Sequence, residues 1–229
     1  MKKPEEQPGF RYNDLECKCR LANKLLVPFR NSGFQQLRMD DIAKQMDISK
    51  ATLYKYFSSK DEIIDLVIDQ FVNSVEENDA EDLPGAESSY EERFRNTFVR
   101  TLLIASYRSE PFLKDLRETF PELYGKLESA IAARNDRLRM FYEKGMNEGI
   151  FIQQNATLLI MQDELIFRNL MDPVYLMKQN LTLRNALYDY YLIKKRQLLC
   201  AVQSQSSDDD GMQERLDRLA GKILYGMSQ

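Results

Sequence analysis

An all-α protein is the fold class that this sequence predicts, and three observations support it. Helix breakers are sparse, since the 229 residues include only 9 Gly and 7 Pro. Apolar residues recur every three or four positions over long stretches, as in Phe94, Phe98 and Leu102, which is the period of one helix face. Good capping residues stand at the starts of these stretches. With 43% hydrophobic residues, the chain has enough material for the cores of one or two domains.

Two short helices that meet at a tight corner are predicted between residues 39 and 57. In the first, Ile42, Ala43 and Met46 form one apolar face over about a turn and a half. Asp47 follows at the corner, where the chain needs a residue that tolerates turn or left-handed backbone geometry. This arrangement predicts a helical corner rather than one continuous helix.

The second of these helices presents an unusual outer surface. Ser49 is a good N-cap, and Leu53 and Phe57 are four residues apart and should pack inward. An ordinary helical hairpin is the alternative, but it rarely places so many Lys and Tyr side chains beside a tight corner. We therefore interpret the segment as a helix-turn-helix whose second helix is free to enter a major groove. Its predicted outward residues are Lys50, Ala51, Tyr54 and Lys55.

A third helix opens immediately after this pair. Either Ser58 with Asp61 or Ser59 with Glu62 has the spacing of a capping pair, and the sequence leaves both registers open.

The run IAKQMDISKATLYKYFSSKDEI resembles the DNA-binding domain of the TetR family of bacterial transcriptional regulators. The similarity covers about residues 15–70. It implies an all-α homodimer with an N-terminal three-helix helix-turn-helix DNA-binding domain and a C-terminal helical ligand-binding and dimerisation domain. We place the first domain at residues 1–60, with a tail of about residues 1–13, and the second at residues 61–229.

The resemblance also implies roles for individual residues. Thr52 and Tyr54 are expected to contact the DNA backbone, and Tyr56 the backbone or bases. Lys60, at the start of the next helix, is expected to contact a phosphate. Hydroxyl, phenol and ammonium groups are ordinary partners of phosphate oxygens. The full predicted DNA-binding set is Arg38, Lys44, Lys50, Ala51, Thr52, Tyr54, Lys55, Tyr56 and Lys60.

Three positions depart from the family pattern. Arg38 stands where the family usually has a capping Thr, and Asp47 stands where it usually has a turn Gly. Pro28 lies inside the first helical pattern, where proline removes a hydrogen-bond donor and is unfavourable. We therefore predict a kink or helix break at Val27.

Charge and composition constrain the function. The net charge is -4, but residues 1–75 carry 12 basic and 11 acidic side chains, whereas residues 76–229 carry 20 and 25. The acidity therefore lies outside the predicted DNA-binding domain. The absence of His excludes His-dependent catalytic triads, and no Gly-rich phosphate loop is present. We expect no enzyme, no cofactor and no metal site, and a cytoplasmic protein without a signal peptide or a membrane-spanning segment.

Caps and periodicity predict further helices in the C-terminal part. The resemblance implies a dimer built as a four-helix bundle from two late helices of each subunit; the candidates are residues 155–172 and either residues 182–202 or residues 212–227, and the sequence does not choose between the last two. The other predicted helices cover about residues 63–75, 94–105, a short stretch after Ser109, and 121–147, with polar loops at 76–89 and 204–211.

The predicted function is a homodimeric repressor that a small molecule releases from a double-stranded DNA operator. The alternative is a regulator or activator controlled by a protein partner, without a small-molecule pocket. A closed, fully packed C-terminal core would favour the alternative, and a buried cavity with unpaired polar groups would favour the first.

Asp163 and Arg168 are polar groups within apolar stripes that could instead pair in a dimer interface. The candidate pocket residues are Asn96, Arg100, Tyr107, Phe120, Tyr124, Tyr142 and Gln162. Aromatic residues at helical spacing are more often plain core, and the polar residues within apolar stripes are the better pocket indications.

Overall fold

The computed structural model describes residues 15–76, 89–199 and 209–225, and these residues form an all-α fold with one isolated β-bridge, between Phe151 and Leu199. The predicted N-terminal tail lies outside the described residues, as do most of the two predicted polar loops. No helix within the described ranges is long and apolar enough to cross a membrane. The helices are α1 (Leu15–Asn23), α2 (Leu26–Ser32), α3 (Met39–Gln45), α4 (Lys50–Tyr56), α5 (Lys60–Glu76), α6 (Tyr90–Tyr107), α7 (Glu110–Thr119), α8 (Pro121–Asn147), α9 (Ala156–Leu170), α10 (Pro173–Lys178), α11 (Leu183–Leu198) and α12 (Asp209–Tyr225).

Local capping signals explain where several helices begin. The side chain of Asn155 accepts a hydrogen bond from the Leu158 amide at 3.1 Å at the start of α9. Ser109 and Thr182 cap α7 and α11 in the same way. These predicted starts are confirmed because a cap satisfies an otherwise unpaired backbone donor within the same few residues. The short helix α10 was not predicted.

Pro28 interrupts the first helical pattern, but the break lies earlier than predicted. Helix α1 ends at Asn23 and α2 begins at Leu26, so the break precedes Val27. Pro28 consequently lies in the first turn of α2. Its missing N–H costs little there, because amides of a first turn have no partner within the helix.

Two hydrophobic clusters hold the helices together. The first combines residues of α1–α5 with Phe112 and Leu116 of α7 and with Leu127 and Ile131 of α8. The second joins α6, α8, α9, α11 and α12. The N-terminal helices therefore share their core with α7 and α8. The predicted domain boundary at residues 60 and 61 falls within the first turn of α5 and remains a prediction.

A buried ion pair crosses the second cluster. The Lys194 ammonium lies 2.8 Å from the Asp163 carboxylate and donates to the Leu159 carbonyl at 2.6 Å. The Tyr190 hydroxyl also donates to Asp163. Burial raises the pKa of Asp163 and lowers the pKa of Lys194, since each charged form loses hydration, and their mutual attraction opposes both shifts. Asp163 thus finds its partner within the chain rather than across a dimer interface.

Candidate DNA interface and effector cavity

The corner between α3 and α4 has the geometry that the sequence predicts. Asp47 adopts the left-handed conformation, with φ of 59°. The Ser49 hydroxyl accepts a hydrogen bond from the Thr52 amide at 3.0 Å and so caps α4. Met46 at the end of α3 is fully buried, and the Lys24 ammonium bonds to its carbonyl at 2.8 Å. These local bonds fix the direction in which α4 leaves the corner.

Helix α4 is divided into an inner and an outer face. Leu53 is fully buried, and Phe57, just after the helix, is 1% exposed. Tyr54 on the opposite side is 52% exposed. The outer-face residues Lys50, Ala51, Tyr54 and Lys55 are all exposed, as predicted for a helix that presents one face to a groove.

Most of the remaining predicted DNA contacts surround this face. Arg38 and Lys44 are exposed, and Arg38 precedes α3 without a side-chain cap, although the Asp41 carboxylate accepts from the Arg38 amide at 3.1 Å. The Thr52 hydroxyl lies 2.8 Å from that of Ser49. Lys50 forms an ion pair with Asp40 at 2.6 Å. Such an exposed pair contributes little to stability, so exchanging the carboxylate for a phosphate carries a small cost.

Two residues of the predicted set have structural contacts instead. Tyr56 is 7% exposed, and its hydroxyl accepts a hydrogen bond from the Cys17 thiol at 3.5 Å. The Lys60 ammonium donates to the Gln35 carbonyl at 2.8 Å. The resemblance assigned both residues to DNA from their position in the motif, which carries no information on these bonds. Their DNA contacts remain predictions.

The start of α5 resolves the two capping registers. The Ser59 hydroxyl accepts from the Glu62 amide at 3.1 Å, which selects the later register. The Glu62 carboxylate in turn accepts from the amide and hydroxyl of Ser58 and pairs with Lys18 at 2.8 Å. The Lys18 bond, followed by the two Ser58 bonds, lowers the pKa of Glu62 to about 2. This carboxylate joins α1 to the loop that follows α4.

The depressed pKa of Glu62 predicts a specific acid dependence. Stability that depends on its charged form is fully present above pH 4.5 and is lost as the pH falls towards about 2. We expect Glu62→Gln to be less stable than the parent at neutral pH, with a difference that shrinks between pH 4.5 and 2. Urea unfolding at a series of pH values measures this difference. Glu122→Gln, at an exposed site on α8, is the control; a constant difference for Glu62→Gln across this range would contradict the prediction.

Asp47 gives a second prediction with a matched control elsewhere in the chain. Asp47→Gly should stabilise the protein by about 0.5–1 kcal/mol, because glycine adopts the left-handed conformation without steric cost. It should also strengthen DNA binding a few-fold, since a negative charge near the DNA is removed. Asn180→Gly, at φ of 55° outside this region, should raise stability alone. Thermal unfolding and fluorescence anisotropy with DNA separate the two effects; equal DNA affinity for both variants would exclude the charge effect.

A cavity of about 50 Å³ lies between α6, α8 and α9, beside the start of α7. Its apolar wall includes Ile104, Leu138 and Ile160. Arg134 is 3% exposed and donates to the Thr101 hydroxyl at 2.9 Å. The polar groups of the lining are Thr101, Arg108, Arg134, Asn135, Asp163, Glu164 and Arg168.

None of the seven candidate pocket residues from the sequence lines this cavity. Several of them have other contacts, and their role in ligand binding remains a prediction. Asn96 accepts from Arg215, Arg100 donates to the Ser74 carbonyl, Tyr107 packs against Phe71, Phe120 packs against Phe34, Tyr124 lies beside the Arg117 guanidinium, Tyr142 is buried near Lys194, and Gln162 is half-buried on α9.

Comparison with known families agrees with this geometry. The family model described as bacterial regulatory proteins, tetR family, matches residues 29–67, which span α3, the corner, α4 and the start of α5. Over these residues the chain carries the DNA-binding domain of the TetR family. The helix-turn-helix is therefore a DNA-binding element of a transcriptional regulator. No curated protein matches the chain.

Solved structures of TetR-family regulators share the fold over most of the chain. A regulator from Marinobacter aquaeolei VT8 has 19% identity and a TM-score of 0.58, covering 90% of this chain and 98% of its own. One from Chloroflexus aurantiacus J-10-FL has 18% identity and a TM-score of 0.57, covering 81% and 98%. The ketosteroid transcriptional regulator KstR2 of Mycobacterium tuberculosis has 16% identity and a TM-score of 0.56, covering 85% and 97%. At these identities the likeness shows the fold alone.

In this chain, α7 connects the cavity to the DNA-binding helices. The Asp115 carboxylate accepts hydrogen bonds from the amides of Phe34 and Gln35, both at 2.7 Å. Gly33 allows this approach, because a Cβ on it would lie 2.2 Å from the same carboxylate oxygen. The Ser109 hydroxyl adds a bond to the Arg30 carbonyl. Helix α7 therefore holds the segment that leads into α3.

Sequence reasoning missed Asp115, Arg108 and Arg134. Arg134 carries a signal that was available, because it lies four residues from both Ala130 and Leu138 in an apolar stripe. A polar side chain inside such a stripe is a pocket indication. Asp115 gives no comparable signal, since its partners lie 80 and 81 residues away along the chain.

Proposed function

We propose that this chain is a homodimeric transcriptional repressor that binds a double-stranded DNA operator and is released from it by a small molecule, acting in the bacterial cytoplasm. The observation that carries the proposal is the outer face of α4. Its Lys and Tyr side chains are exposed, while Leu53 and Phe57 anchor the opposite side in the core. A short helix anchored in this way can enter a major groove without rearrangement.

The proposed DNA contacts follow from the chemistry of this face. Tyr54 and Thr52 suit phosphate oxygens, and the small side chain of Ala51 allows close approach to a base edge. Arg38 and Lys44 are placed to add phosphate contacts from the neighbouring helix. These contacts make binding dependent on salt, because each neutralised phosphate releases counterions.

Helix α9 supports the proposed homodimer. Leu158, Met161 and Leu165 are 60%, 48% and 54% exposed and follow one another at helical spacing. An apolar stripe of this kind is typical of an interaction surface. The exposed residues do not decide between α11 and α12 as the second helix, because each presents one large apolar side chain, Ile193 at 53% and Leu224 at 45%, among charged and polar neighbours.

This stripe predicts the effect of one charge on assembly. We expect Leu165→Glu to convert the dimer to monomers, because a carboxylate buried at the interface would lose its hydration without a partner. Size-exclusion chromatography with light scattering measures the mass. Met140→Glu on α8, where Met140 is 65% exposed, is the matched control and should remain dimeric. A dimeric Leu165→Glu variant would place the interface elsewhere.

The cavity supports control by a small molecule rather than by a protein partner acting on a closed core. It is lined by residues on both sides of the α6–α7 junction, including Arg108 and Leu113, and α7 carries Asp115. A ligand that prefers a different position of α7 would shift the population towards conformations that fit DNA poorly. The bonds of Asp115 to residues 34 and 35 supply the connection.

Selection of bound fragments from the genome of origin tests this function. We expect a small set of fragments with a two-fold-related sequence to bind, and anisotropy measurements with compounds to identify one that releases them. If the purified dimer retained no fragment above random DNA at low salt, the proposed regulator function would fail. If operator binding occurred but an activating effect on transcription were measured, the repressor role would fail.

A further inference from the structure

We propose that the cavity between α6, α8 and α9 binds the carboxylate of a small aliphatic acid. This inference rests on the proposed function for the identity of the site as an effector site. It goes further by naming the chemical class of the ligand, which the arginines, the charge balance and the size of the cavity define.

Arg134 supplies the central group. Its side chain lies at the cavity wall on α8, is 3% exposed, and is held by the hydrogen bond from its guanidinium to the Thr101 hydroxyl. A planar guanidinium offers several donors in a fixed fork, which matches the two oxygens of a carboxylate. Because Arg134 is already positioned, little side-chain entropy is lost when a ligand binds.

Arg108 provides a second donor at the same wall. One end of its guanidinium pairs with Glu128 at 2.7 Å, which fixes the side chain. Its Nε atom is buried and has no hydrogen-bond partner among the described residues. Buried donors are nearly always satisfied in folded proteins. A ligand oxygen in the cavity would complete this group.

The acidic residues of the lining are already occupied. Asp163 is paired with Lys194 at 2.8 Å, and Glu164 accepts from the Asn135 amide at 3.0 Å. Arg108 is likewise paired with Glu128, and the Asn135 amide leaves the charge of Glu164 in place, so Arg134 and the exposed Arg168 face one uncompensated carboxylate. This balance favours an anion over a cation.

The size and the apolar wall restrict the rest of the ligand. The cavity volume of about 50 Å³ has room for roughly four water molecules, because one water molecule needs about 10–15 Å³ of cavity volume. A carboxylate with a short chain fills this space. Ile104, Leu138 and Ile160 provide the apolar surface for its methylene groups.

Calorimetric titration of the purified full-length protein without DNA tests the ligand class. The probes are butyrate, butyramide, butylammonium and inorganic phosphate. Butyramide tests the need for a charge, butylammonium tests the sign of that charge, and phosphate tests the need for a carbon chain. We expect butyrate to bind at least about 10-fold more tightly than each of the other three, since charge-assisted hydrogen bonds and apolar burial then act together. Equal or tighter binding of butyramide or butylammonium would overturn the carboxylate assignment, and tighter binding of phosphate would overturn the role of the carbon chain.

Two variants locate the binding. Arg134→Gln should weaken butyrate binding at least about 10-fold. Ala105→Phe provides a second test if Arg134→Gln proves unstable, because its ring should fill the cavity and abolish butyrate binding. Ala133→Phe, at an exposed site on α8, is the control. Unchanged butyrate binding in a folded Ala105→Phe protein would overturn the site. Operator release is measured separately: butyrate that binds the cavity without releasing DNA supports this inference and contradicts the effector role.

Discussion

Replacing Lys194 by methionine should lower the free energy of unfolding by about 3–5 kcal/mol, because Asp163 would be left charged and buried without its cation. The two groups are 0% and 6% exposed, so bulk solvent does not replace the lost ammonium. The Leu159 carbonyl would also lose its hydrogen bond from Lys194. Urea unfolding followed by circular dichroism measures the loss.

A double-mutant cycle identifies the source of this effect. Removing both charges, in Lys194→Met combined with Asp163→Leu, should recover much of the stability, because no unpaired charge then remains in the core. The exposed pair of Arg139 and Asp136 is the matched control, and Arg139→Met should change stability by less than about 0.5 kcal/mol. A loss below about 1 kcal/mol for Lys194→Met would show that the pair is hydrated or not formed.

The fold was largely predictable because its signals are local. Ser49, Asn155 and Thr182 cap their helices in the structure as the sequence indicates. Asp47 adopts the left-handed conformation that the corner requires. Each of these predictions depends on backbone groups within a few residues, so the sequence contains all the information needed.

Contacts between distant segments explain what could not be predicted. Whether Tyr56 faces solvent depends on α1, which packs beside it and supplies Cys17. Asp115 bonds to the segment between α2 and α3 only because α7 packs against α2. Helical periodicity identifies a buried face but not the neighbour that covers it. For the same reason the sequence proposed pocket residues on α6, α8 and α9, and Phe120 between α7 and α8, but none of them lines the cavity.

The outer face of α4 was predicted, and its proposed DNA contacts lead to the second large effect. Tyr54→Ala should weaken binding to operator and to random DNA by the same factor. For a dimer that loses one hydrogen bond of about 1 kcal/mol in each subunit, the factor is about 30-fold. A backbone contact carries no sequence information, which is why the factor should not depend on the DNA. Fluorescence anisotropy with both DNAs at several salt concentrations measures it.

Lys55→Ala should behave differently, because Lys55 lies on the outer face of α4, which is proposed to enter the major groove. We expect the variant to lose more affinity for operator than for random DNA. The salt dependence of binding should also be smaller, because each subunit loses one positive charge. Lys144→Ala, on the exposed side of α8, removes the same charge away from this face and should change neither property. Tyr54→Phe, which keeps the ring, separates the hydroxyl contact from ring packing. If Tyr54→Ala bound operator like the parent at both low and elevated salt, the outer face of α4 would not be the surface that contacts DNA.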